Sequence, residues 1–345
     1  MKPMPTLPFA PHLLRWLPTL LLSGASSAWA ALPPGVTTVV LSEPSTPSSA
    51  SSYSTARYDG PTTGNEAGRS LSASGDFNGD GIQDLAIGAP AAASSLGSVF
   101  VVFGQTTGPT TTISLSSAVQ VSGVAAGDVL GASLAAADFT GDGKTDLAIG
   151  APGVSGGKGA VYIIPGGTSW SSGTVSAFTG VITVSGETAS GRFGAAIAAG
   201  DVTGDGSALT DGKVELLASA PPTGKVYMVY GPVSTGAVLS SSSTNAYNYT
   251  FYGNVEDSVG SSIAMTGDMN NDGSRDFVIG GSHGDTTSTS GNVGGVAYLV
   301  NGRSRQSLTS SGITATMNLN GTASKKRIVI SDVLYGTVRV GQLGA

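Results

Sequence analysis

The sequence predicts an all-β protein, and more narrowly a β-propeller, from three observations: its composition, a regularly recurring acidic motif, and short β-rich runs between the motifs. The chain has 345 residues, of which 52 are Gly and only 11% are charged. Soluble helices need more Lys and Glu on their exposed faces, so short strands joined by glycine turns fit this composition better. A hydrophobic fraction of 40% lets most of the chain fold.

The first 56 residues precede the repeats. Residues 1–30 are predicted to be a signal peptide, because basic residues precede the apolar stretch 16–22 and Ala28-Trp29-Ala30 offers small residues for cleavage. A membrane anchor is disfavoured, since Pro18 interrupts an apolar run shorter than the about 20 residues that span a bilayer. Residues 31–56 are rich in Ser and Pro and are expected to form a tether. We therefore expect a secreted, periplasmic or cell-surface protein with no membrane span after signal cleavage.

An acidic motif recurs four times, and its leading aspartates are separated by 62, 63 and 67 residues. Each motif follows a glycine that lies three residues before an aliphatic residue, and it precedes an apolar run, a turn, and a β-rich run closed by glycine. The β-rich runs are 98–103, 160–164, 225–230 and 296–300. Three or four strands per unit form one antiparallel sheet, which buries both faces only against its neighbours. Radial stacking into a propeller is the usual solution.

Within a motif the spacing Asp-x-Asn/Thr-x-Asp-Gly-x-x-Asp puts oxygen-bearing side chains at positions 1, 3, 5 and 9, and a backbone carbonyl at position 7 completes the set. Such a set suits Ca²⁺, which takes six to eight oxygen ligands, better than Mg²⁺, which resists full dehydration. The predicted ligands are Asp76, Asn78, Asp80, Ile82 and Asp84; Asp138, Thr140, Asp142, Lys144 and Asp146; and Asp268, Asn270, Asp272, Ser274 and Asp276.

Two other interpretations of the motif fit less well. An EF-hand requires Glu at position 12, where this chain has Ile87, Ile149 or Ile279. A single Asp-Gly dipeptide could be only a tight turn, but four acidic loops at a fixed period point to ion sites.

The third motif departs from the pattern. Asp201 and Thr203 hold positions 1 and 3, but six extra residues follow Asp205-Gly206 before Glu215, which replaces the final Asp. Either Asp205 or Asp211 could therefore serve as position 5.

These residues resemble the FG-GAP repeats of the integrin α-subunit propeller. The FG dipeptides are Phe193-Gly194 and the variants Leu130-Gly131, Val259-Gly260 and Ala67-Gly68. The GAP tripeptides are Gly88-Ala89-Pro90 and Gly150-Ala151-Pro152, with Ser219-Ala220-Pro221 close and Gly280-Gly281-Ser282 divergent. The resemblance implies calcium loops at one face of the ring, partners on the opposite face, and a role in cell or matrix adhesion.

Residues 57–316 are assigned to four recognisable repeats, and residues 317–345 to a partial or divergent fifth. Asn320–Ser324 resembles 185–190, but Lys325-Lys326-Arg327 then stands where an FG element would follow. The integrin propeller has seven blades, for which this chain is too short. Closure of the ring is left open, with pairing of an end strand to residues 37–41 as one solution.

The composition favours a binding module over an enzyme. The chain has no Cys, and His283 lies in a Gly-rich turn without a nucleophile elbow or an oxyanion-hole motif. A net charge of −6 disfavours a nucleic-acid partner. We expect a calcium-binding adhesion or recognition propeller whose partner is an extracellular protein or polysaccharide. The alternatives are a carbohydrate-binding propeller, with Trp170, Tyr247 and Tyr252 as candidate contacts, and a non-catalytic module of a larger secreted hydrolase.

Overall fold

A computed structural model describes most of the repeat region. The described residues are 56–107, 112–204, 212–233, 248–253, 255–271, 273–282, 295–304, 315–318, 333–334 and 337–338. The expected signal peptide, nearly all of the tether, residues 37–41, Tyr247 and His283 lie outside them.

The described residues are almost entirely β, as predicted, and form one antiparallel sheet per repeat. We call these sheets blades 1 to 4. Blade 1 follows β1 (Arg57–Asp59) and contains β2 (Ser70–Gly75), β3 (Asp84–Ala89), β4 (Ser98–Val102) and β6 (Val119–Ser122); the short β5 (Thr112–Ser114) pairs parallel with β1. Blade 2 contains β7 (Ser133–Ala137), β8 (Asp146–Ala151), β9 (Ala160–Ile164) and β11 (Ile182–Ser185); the short β10 (Gly173–Thr174) pairs parallel with β6 of blade 1.

The later blades repeat this order. Blade 3 contains β12 (Ile197–Gly200), β14 (Glu215–Ala220), β15 (Lys225–Val229) and β16 (Asn248–Tyr252). Blade 4 contains β17 (Val259–Met265), β18 (Phe277–Gly281) and β19 (Val296–Val300). The short β13 (Thr203–Gly204) pairs parallel with β20 (Arg303–Ser304), and β21 (Ala315–Asn318) pairs parallel with β16 of blade 3. β22 (Val333–Leu334) and β23 (Thr337–Val338) form a separate antiparallel pair. The four β-rich runs of the sequence are the third strands β4, β9, β15 and β19.

Helical structure in the described residues is limited to short turns. Two four-residue turns, α1 (Ala92–Ser95) and α2 (Val154–Gly157), connect second to third strands. Three 3₁₀ turns span Leu115–Ser117, Val175–Ala177 and Pro221–Thr223.

The blades are stacked side by side through their first strands. In blades 1 to 3 the first, second, third and outer strands pair antiparallel in sequence. β2 packs against β7, β7 against β12, and β12 against β17. Three hydrophobic clusters lie between neighbouring blades, one at each of the three interfaces. A fourth lies on the other side of blade 1, where Tyr58 of β1 and Ala67 pack against a buried group that includes Phe100. This is the radial packing of propeller blades, although closure of a ring is not seen among the described residues.

The FG and GAP elements lock neighbouring blades together. Gly131 donates its amide to the Gly150 carbonyl of its own blade at 3.0 Å. Its carbonyl accepts a 2.7 Å hydrogen bond from the Ser70 hydroxyl of the preceding blade. A Cβ on Gly88 would lie 2.3 Å from that same carbonyl oxygen, so only glycine permits this approach. Gly194 repeats the arrangement one blade later, accepting from Ser133 at 2.8 Å.

The residue before each FG glycine fills the interface that the glycine opens. Phe193 is 1% exposed and packs edge-on against Tyr227, with ring centroids 5.6 Å apart. Leu130 and Val259 are buried at the same position, whereas Ala67 of blade 1 is only half-buried. Leu130, Phe193 and Val259 therefore each fill the hydrophobic interface between two neighbouring blades. We call such a residue the plug of its interface.

Candidate metal centres

Each acidic loop joins the first strand of its blade to the second. Loops 1 to 4 are residues 76–84, 138–146, 201–215 and 268–276. In loop 2, Asp146 at position 9 opens β8 and pairs in register with Ala137, the residue just before position 1. This pairing brings the two ends of the loop together, so the carboxylates at positions 1 and 9 are held near each other.

In loop 1 the position-1 carboxylate organises the turn. One oxygen of Asp76 accepts hydrogen bonds from the amides of Gly79 at 2.7 Å and Asp80 at 3.0 Å. Its other oxygen accepts from the amide of Gly81 at 2.7 Å. Gly81, the residue after position 5, has φ +86°, a left-handed conformation that glycine adopts without strain. The Asp80 amide also donates to the Asn78 side chain at 2.9 Å, which draws positions 3 and 5 together.

Loop 2 reproduces this network at the same positions. Asp138 accepts from the amides of Gly141 at 2.7 Å, Asp142 at 3.1 Å and Gly143 at 2.8 Å. Gly143 has φ +83°. The exposed Asp142 carboxylate accepts from the Lys144 amide at 3.0 Å, while the Lys144 side chain is exposed. The repetition shows that the spacing of the motif dictates the conformation of the loop.

The position-9 carboxylate is buried beneath loop 1. Asp84 is 2% exposed and accepts hydrogen bonds from the Phe77 amide at 2.7 Å and the Gly104 amide at 2.9 Å. Burial raises the pKa of Asp84 above its ordinary value, and the backbone hydrogen bonds from Gly104 and Phe77 offset part of that rise. A cation next to this carboxylate would favour its charged form.

Asp146 occupies the same place in loop 2 and is fully buried. It accepts from the amides of Phe139 at 2.8 Å, Thr140 at 2.9 Å and Gly166 at 2.8 Å. Burial raises its pKa as well, partly offset by the backbone hydrogen bonds from Gly166 and Thr140. Two loops thus hold a buried carboxylate whose charge is only partly balanced by amide dipoles.

In loop 3 the longer Glu215 takes the place of the final Asp. It is fully buried and accepts from the Val202 amide at 2.9 Å and the Thr203 hydroxyl at 2.8 Å. The Asp201 carboxylate accepts from the Gly212 amide at 2.8 Å. The position-1 and position-9 carboxylates of this loop therefore still accept hydrogen bonds from loop residues, despite the inserted residues. We call this pair of hydrogen-bonded carboxylates the loop frame.

The Gly212 hydrogen bond bears on the choice left open for position 5. In loops 1 and 2 the glycine that donates to the second oxygen of position 1 directly follows position 5. Gly212 makes this bond in loop 3 and also has a positive φ, +72°. Asp211, which precedes it, matches position 5 in this register, and Asp205 falls within the insertion. Both aspartates lie outside the described residues.

Loop 4 keeps the same frame. The buried Asp276 carboxylate accepts from the Met269 amide at 2.7 Å and the Gly302 amide at 2.9 Å. The Asp268 carboxylate accepts from the Gly273 amide at 2.7 Å.

The other predicted ligands of loops 1 and 4 differ in exposure. The side chains of Asn78 and Ile82 are half-buried, Asn270 is exposed and Ser274 is buried. Asp272 lies outside the described residues. In both loops, the position-9 carboxylate is buried and the position-1 carboxylate accepts the amide of the glycine that follows position 5.

One set of supporting residues was missed by sequence reasoning. Three glycines that follow the third strands donate their amides to the position-9 carboxylates, and a Cβ on any of them would lie 2.1–2.4 Å from the carbonyl oxygen of the residue just before position 9. They are Gly104, Gly166 and Gly302. The sequence does contain a signal for these glycines, because every β-rich run is followed by a glycine within a few residues.

By donor chemistry the loops fit a hard divalent cation. Carboxylate, amide, hydroxyl and carbonyl oxygens are the ligands that Ca²⁺ prefers. The Thr140 hydroxyl at position 3 of loop 2 is buried beside the Asp146 carboxylate, whose pKa it helps to lower, although the pair lacks standard hydrogen-bond geometry. Within the described ranges no three acidic or His side chains gather into a metal-ligating group. The position-1 carboxylates instead accept backbone amides of their own loops.

Trp170, one of the candidate sugar contacts, is half-buried between blades 1 and 2. Its indole N–H donates to the Phe77 carbonyl at 2.9 Å, and its ring packs against those of Phe77, Phe103 and Phe178. It therefore holds blade 2 to the loop of blade 1.

Comparisons with known proteins agree with this architecture. The FG-GAP repeat family matches residues 67–102 and 130–164, which include the FG, loop and GAP elements of blades 1 and 2. The bovine (Bos taurus) phosphatidylinositol-glycan-specific phospholipase D is 42% identical over 104 residues, covering 28% of this chain and 12% of that protein. The chicken (Gallus gallus) integrin alpha-V is 41% identical over 78 residues, covering 23% of this chain and 7% of that protein.

The chain thus spans only a small part of the length of these relatives, so the similarity concerns a module of each. The matched region coincides with the two blades whose loops and interlocking glycines are the most regular. The chain is accordingly an FG-GAP repeat protein that resembles the β-propeller of integrin α-subunits.

Proposed function

We propose that the chain is an exported, calcium-binding recognition module that acts in cell or matrix adhesion. The observation that carries the proposal is the loop frame, repeated in four blades: a buried position-9 carboxylate held by backbone amides, beside a position-1 carboxylate that closes the turn. A turn alone does not require a buried carboxylate, which costs free energy unless its charge is balanced. A bound cation supplies that balance.

The residues that would hold calcium are the predicted ligands at positions 1, 3, 5, 7 and 9 of each loop, with Asp211 at position 5 of loop 3. The bound cation would bring positive charge to carboxylates that the fold has buried. The protein's own part is to keep these oxygens at the junction of two strands, so that cation binding and blade stability are linked. Calcium is favoured over magnesium because the set has five protein donors.

Recognition is favoured over catalysis because the acidic side chains of the motif are committed to the loops. Tyr227 and Tyr298 of the third strands are buried between blades and offer no reactive surface. The similarity to integrin alpha-V supports an extracellular protein as the partner. None of the described helices is long and apolar enough to cross a bilayer. Export is the expectation from residues 1–30.

The proposal is tested by calcium calorimetry with one exposed ligand removed. Asp142→Ala alters an exposed side chain, so the variant should fold, yet it should lose one calcium site of the wild-type set. Asp59→Ala is the matched control, because Asp59 is also an exposed aspartate but lies outside the loops. Equal calcium stoichiometry in wild type and Asp142→Ala would contradict the assignment of loop 2.

A second candidate function is supported by the similarity to the phospholipase. In this function the chain is a non-catalytic module of a larger secreted hydrolase. It binds the surface that carries the substrate and so keeps the catalytic domain close to that substrate. Binding assays separate the two functions. Retention on phosphatidylinositol-glycan vesicles, with none on immobilised matrix proteins, would favour the hydrolase module; the reverse would favour adhesion.

A further inference from the structure

Loop 1 is held in place by the blade that follows it. The Phe77 carbonyl at position 2 accepts hydrogen bonds from the Gly167 amide at 2.8 Å and from the Trp170 indole N–H at 2.9 Å. Both donors lie in the segment directly after β9, the third strand of blade 2. Position 4 lies against the same segment, because a Cβ on Gly79 would be 4.0 Å from the Gly167 Cα. Two donors of blade 2 thus fix the start of loop 1.

Loops 2 and 3 contact their following blades in a similar way. The Phe139 carbonyl at position 2 of loop 2 accepts a hydrogen bond from the Val233 amide of blade 3 at 2.8 Å. At position 2 of loop 3, the Val202 carbonyl lies against blade 4, since a Cβ on Gly302 would be 2.9 Å from its oxygen. β13, which contains position 3 of loop 3, pairs parallel with β20. We call these segments, which follow the third strands, the clamps of loops 1, 2 and 3: residues 166–170, 231–233 and 302–304.

The residue at position 2 also donates to the buried carboxylate of its own loop. The Phe77 amide donates to Asp84 at 2.7 Å, and the Phe139 amide donates to Asp146 at 2.8 Å. Both phenylalanine side chains are fully buried in the interface with the following blade. The amide, the carbonyl and the side chain of this residue are therefore all fixed, so the residue cannot move away from the carboxylate without breaking contacts to the next blade.

A clamp supports the loop of its own blade as well. The Gly166 amide donates to the Asp146 carboxylate of loop 2 at 2.8 Å, while the next residue, Gly167, donates to loop 1. Blade 4 repeats this double role, because the Gly302 amide donates to Asp276 of loop 4 at 2.9 Å and the same glycine lies against loop 3. Neighbouring loops thus share one short clamp.

These contacts form a continuous path between two position-9 carboxylates. From loop 1 to loop 2 the path runs from Asp84 through Phe77, Gly167 and Gly166 to Asp146. Each step is a hydrogen bond or a link within the backbone, and hydrogen bonds in such chains polarise and strengthen one another. A movement of loop 1 that displaces Phe77 therefore also displaces a donor of the carboxylate of loop 2.

We propose that the clamps couple the calcium loops, so that an ion bound in one loop raises the calcium affinity of the neighbouring loop. This inference rests on the calcium-binding function proposed above. An ion in loop 1 would order the Asp84 carboxylate and its donor Phe77, and Phe77 would then fix the clamp that also serves loop 2. The second ion binds a loop that is already ordered, which gives positive cooperativity.

Electrostatic repulsion between neighbouring sites acts in the opposite direction. A bound ion makes the surroundings of the next loop less negative and so weakens the attraction for a second cation. Salt at about 0.15 M screens exposed charges over about 8 Å, and Asp80 and Asp142 are exposed. The hydrogen bonds of the clamps are not screened in this way. We therefore expect the net coupling to be positive and to persist when salt is raised.

Trp170 provides a fluorescent reporter of loop 1. Its ring lies next to that of Phe77, with centroids 5.9 Å apart, and its indole donates to the Phe77 carbonyl. The chain has two other tryptophans, Trp16 and Trp29. In the full chain carrying Trp16→Phe and Trp29→Phe, tryptophan fluorescence comes from Trp170 alone. Calcium should change this fluorescence, and Asp80→Ala, which removes position 5 of loop 1, should move the change to higher calcium concentrations.

The decisive variant removes a ligand of the neighbouring loop. Asp142→Ala, at the exposed position 5 of loop 2, should raise the calcium concentration at the midpoint of the Trp170 change by about tenfold. Asp268→Ala removes position 1 of loop 4, two loops further along, and should shift the midpoint less. Asp59→Ala lies outside the loops and should leave the midpoint unchanged.

Calorimetry on the same variants keeps the possible outcomes apart. If Asp142→Ala binds one ion fewer than the wild type but leaves the Trp170 midpoint unchanged, the loops bind independently and the proposal is wrong. It is equally wrong if Asp268→Ala shifts the midpoint as far as Asp142→Ala, or if the wild type binds calcium without a change in Trp170 fluorescence. A wild type that binds no calcium contradicts the proposed function itself, which is a different result.

Amide hydrogen exchange gives a second readout, at the clamp itself. The Gly167 amide donates across the blade interface, whereas the Gly186 amide donates within blade 2, to the Gly159 carbonyl at 2.9 Å. Exchange at Gly167 should be slower in calcium than in chelator by about tenfold, and Gly186 should change less. Equal exchange rates of Gly167 in the two buffers, in a chain that binds calcium, would show that the ion does not act on the clamp.

Discussion

Replacing the GAP glycine of blade 2 tests the interlock between blades directly. In Gly150→Ala the new Cβ would lie 2.1 Å from the Gly194 carbonyl oxygen and 2.2 Å from the Ser133 hydroxyl oxygen. Real Cβ contacts are essentially never shorter than 3.0 Å, so blades 2 and 3 would have to separate locally. Overpacking of this kind costs about 1–3 kcal/mol, and loss of the Ser133 hydrogen bond costs about 1 kcal/mol. The expected destabilisation is therefore about 2–4 kcal/mol.

The assay is urea unfolding followed by tryptophan fluorescence, because Trp170 is packed between blades 1 and 2. The matched control is Gly173→Ala, since nothing lies within 4 Å of where that Cβ would be, and its stability should stay within about 0.5 kcal/mol of wild type. For a domain of this size, 2–4 kcal/mol corresponds to a fall in Tm of roughly 4–16 °C. If Gly150→Ala unfolded at the same urea concentration as Gly173→Ala, the interlocking role of the glycine would be refuted.

Three further predictions concern packing, charge and pH. Phe193→Ala should destabilise the chain by about 3–5 kcal/mol in the same assay, because the ring is 1% exposed between two blades; a loss below 1 kcal/mol would contradict its role as a plug. Asp146→Asn should lower Tm more than Asp142→Asn, because the first side chain is fully buried among three amide donors and the second is exposed; equal melting curves would argue against the frame. Burial and the Glu187 carboxylate raise the pKa of Tyr227 above its ordinary value of 10.0. Below pH 10 the Tyr227 hydroxyl is neutral in both the folded and the unfolded chain. At higher pH it ionises first in the unfolded chain, so the free energy of unfolding falls by up to about 1.4 kcal/mol per pH unit. Tyr227→Phe should flatten the decline of stability above pH 10, and unchanged curves would show that the pKa is not raised.

The repeat made much of the fold predictable. The spacing of the aspartates located the loops, and the β-rich runs located the third strands, because a period-2 strand pattern and a turn motif are both local signals. The resemblance located the FG and GAP glycines but not their contacts, and the structure shows that they meet at the blade interface, in the close approach of Gly88 to Gly131.

Other features depend on contacts distant in sequence. The role of Gly104 beneath loop 1 was not predicted, although the glycine itself was noticed, because its target Asp84 lies in another strand. The packing of Trp170, a candidate sugar contact, could not be predicted because its partners Phe77 and Phe103 belong to another blade. The turn α1 contains Ala93 and Ser94 with positive φ, a conformation that the local sequence does not predict for these residue types.

The most direct test of the whole account is a calcium titration of the chain by calorimetry, combined with thermal melting in calcium and in chelator. The account predicts three or four bound calcium ions and a Tm that falls sharply in chelator, because buried carboxylates then lose their counter-charge. A folded chain that binds no calcium and melts at the same temperature in both buffers would show that the loops are turns only, and would contradict the central claim.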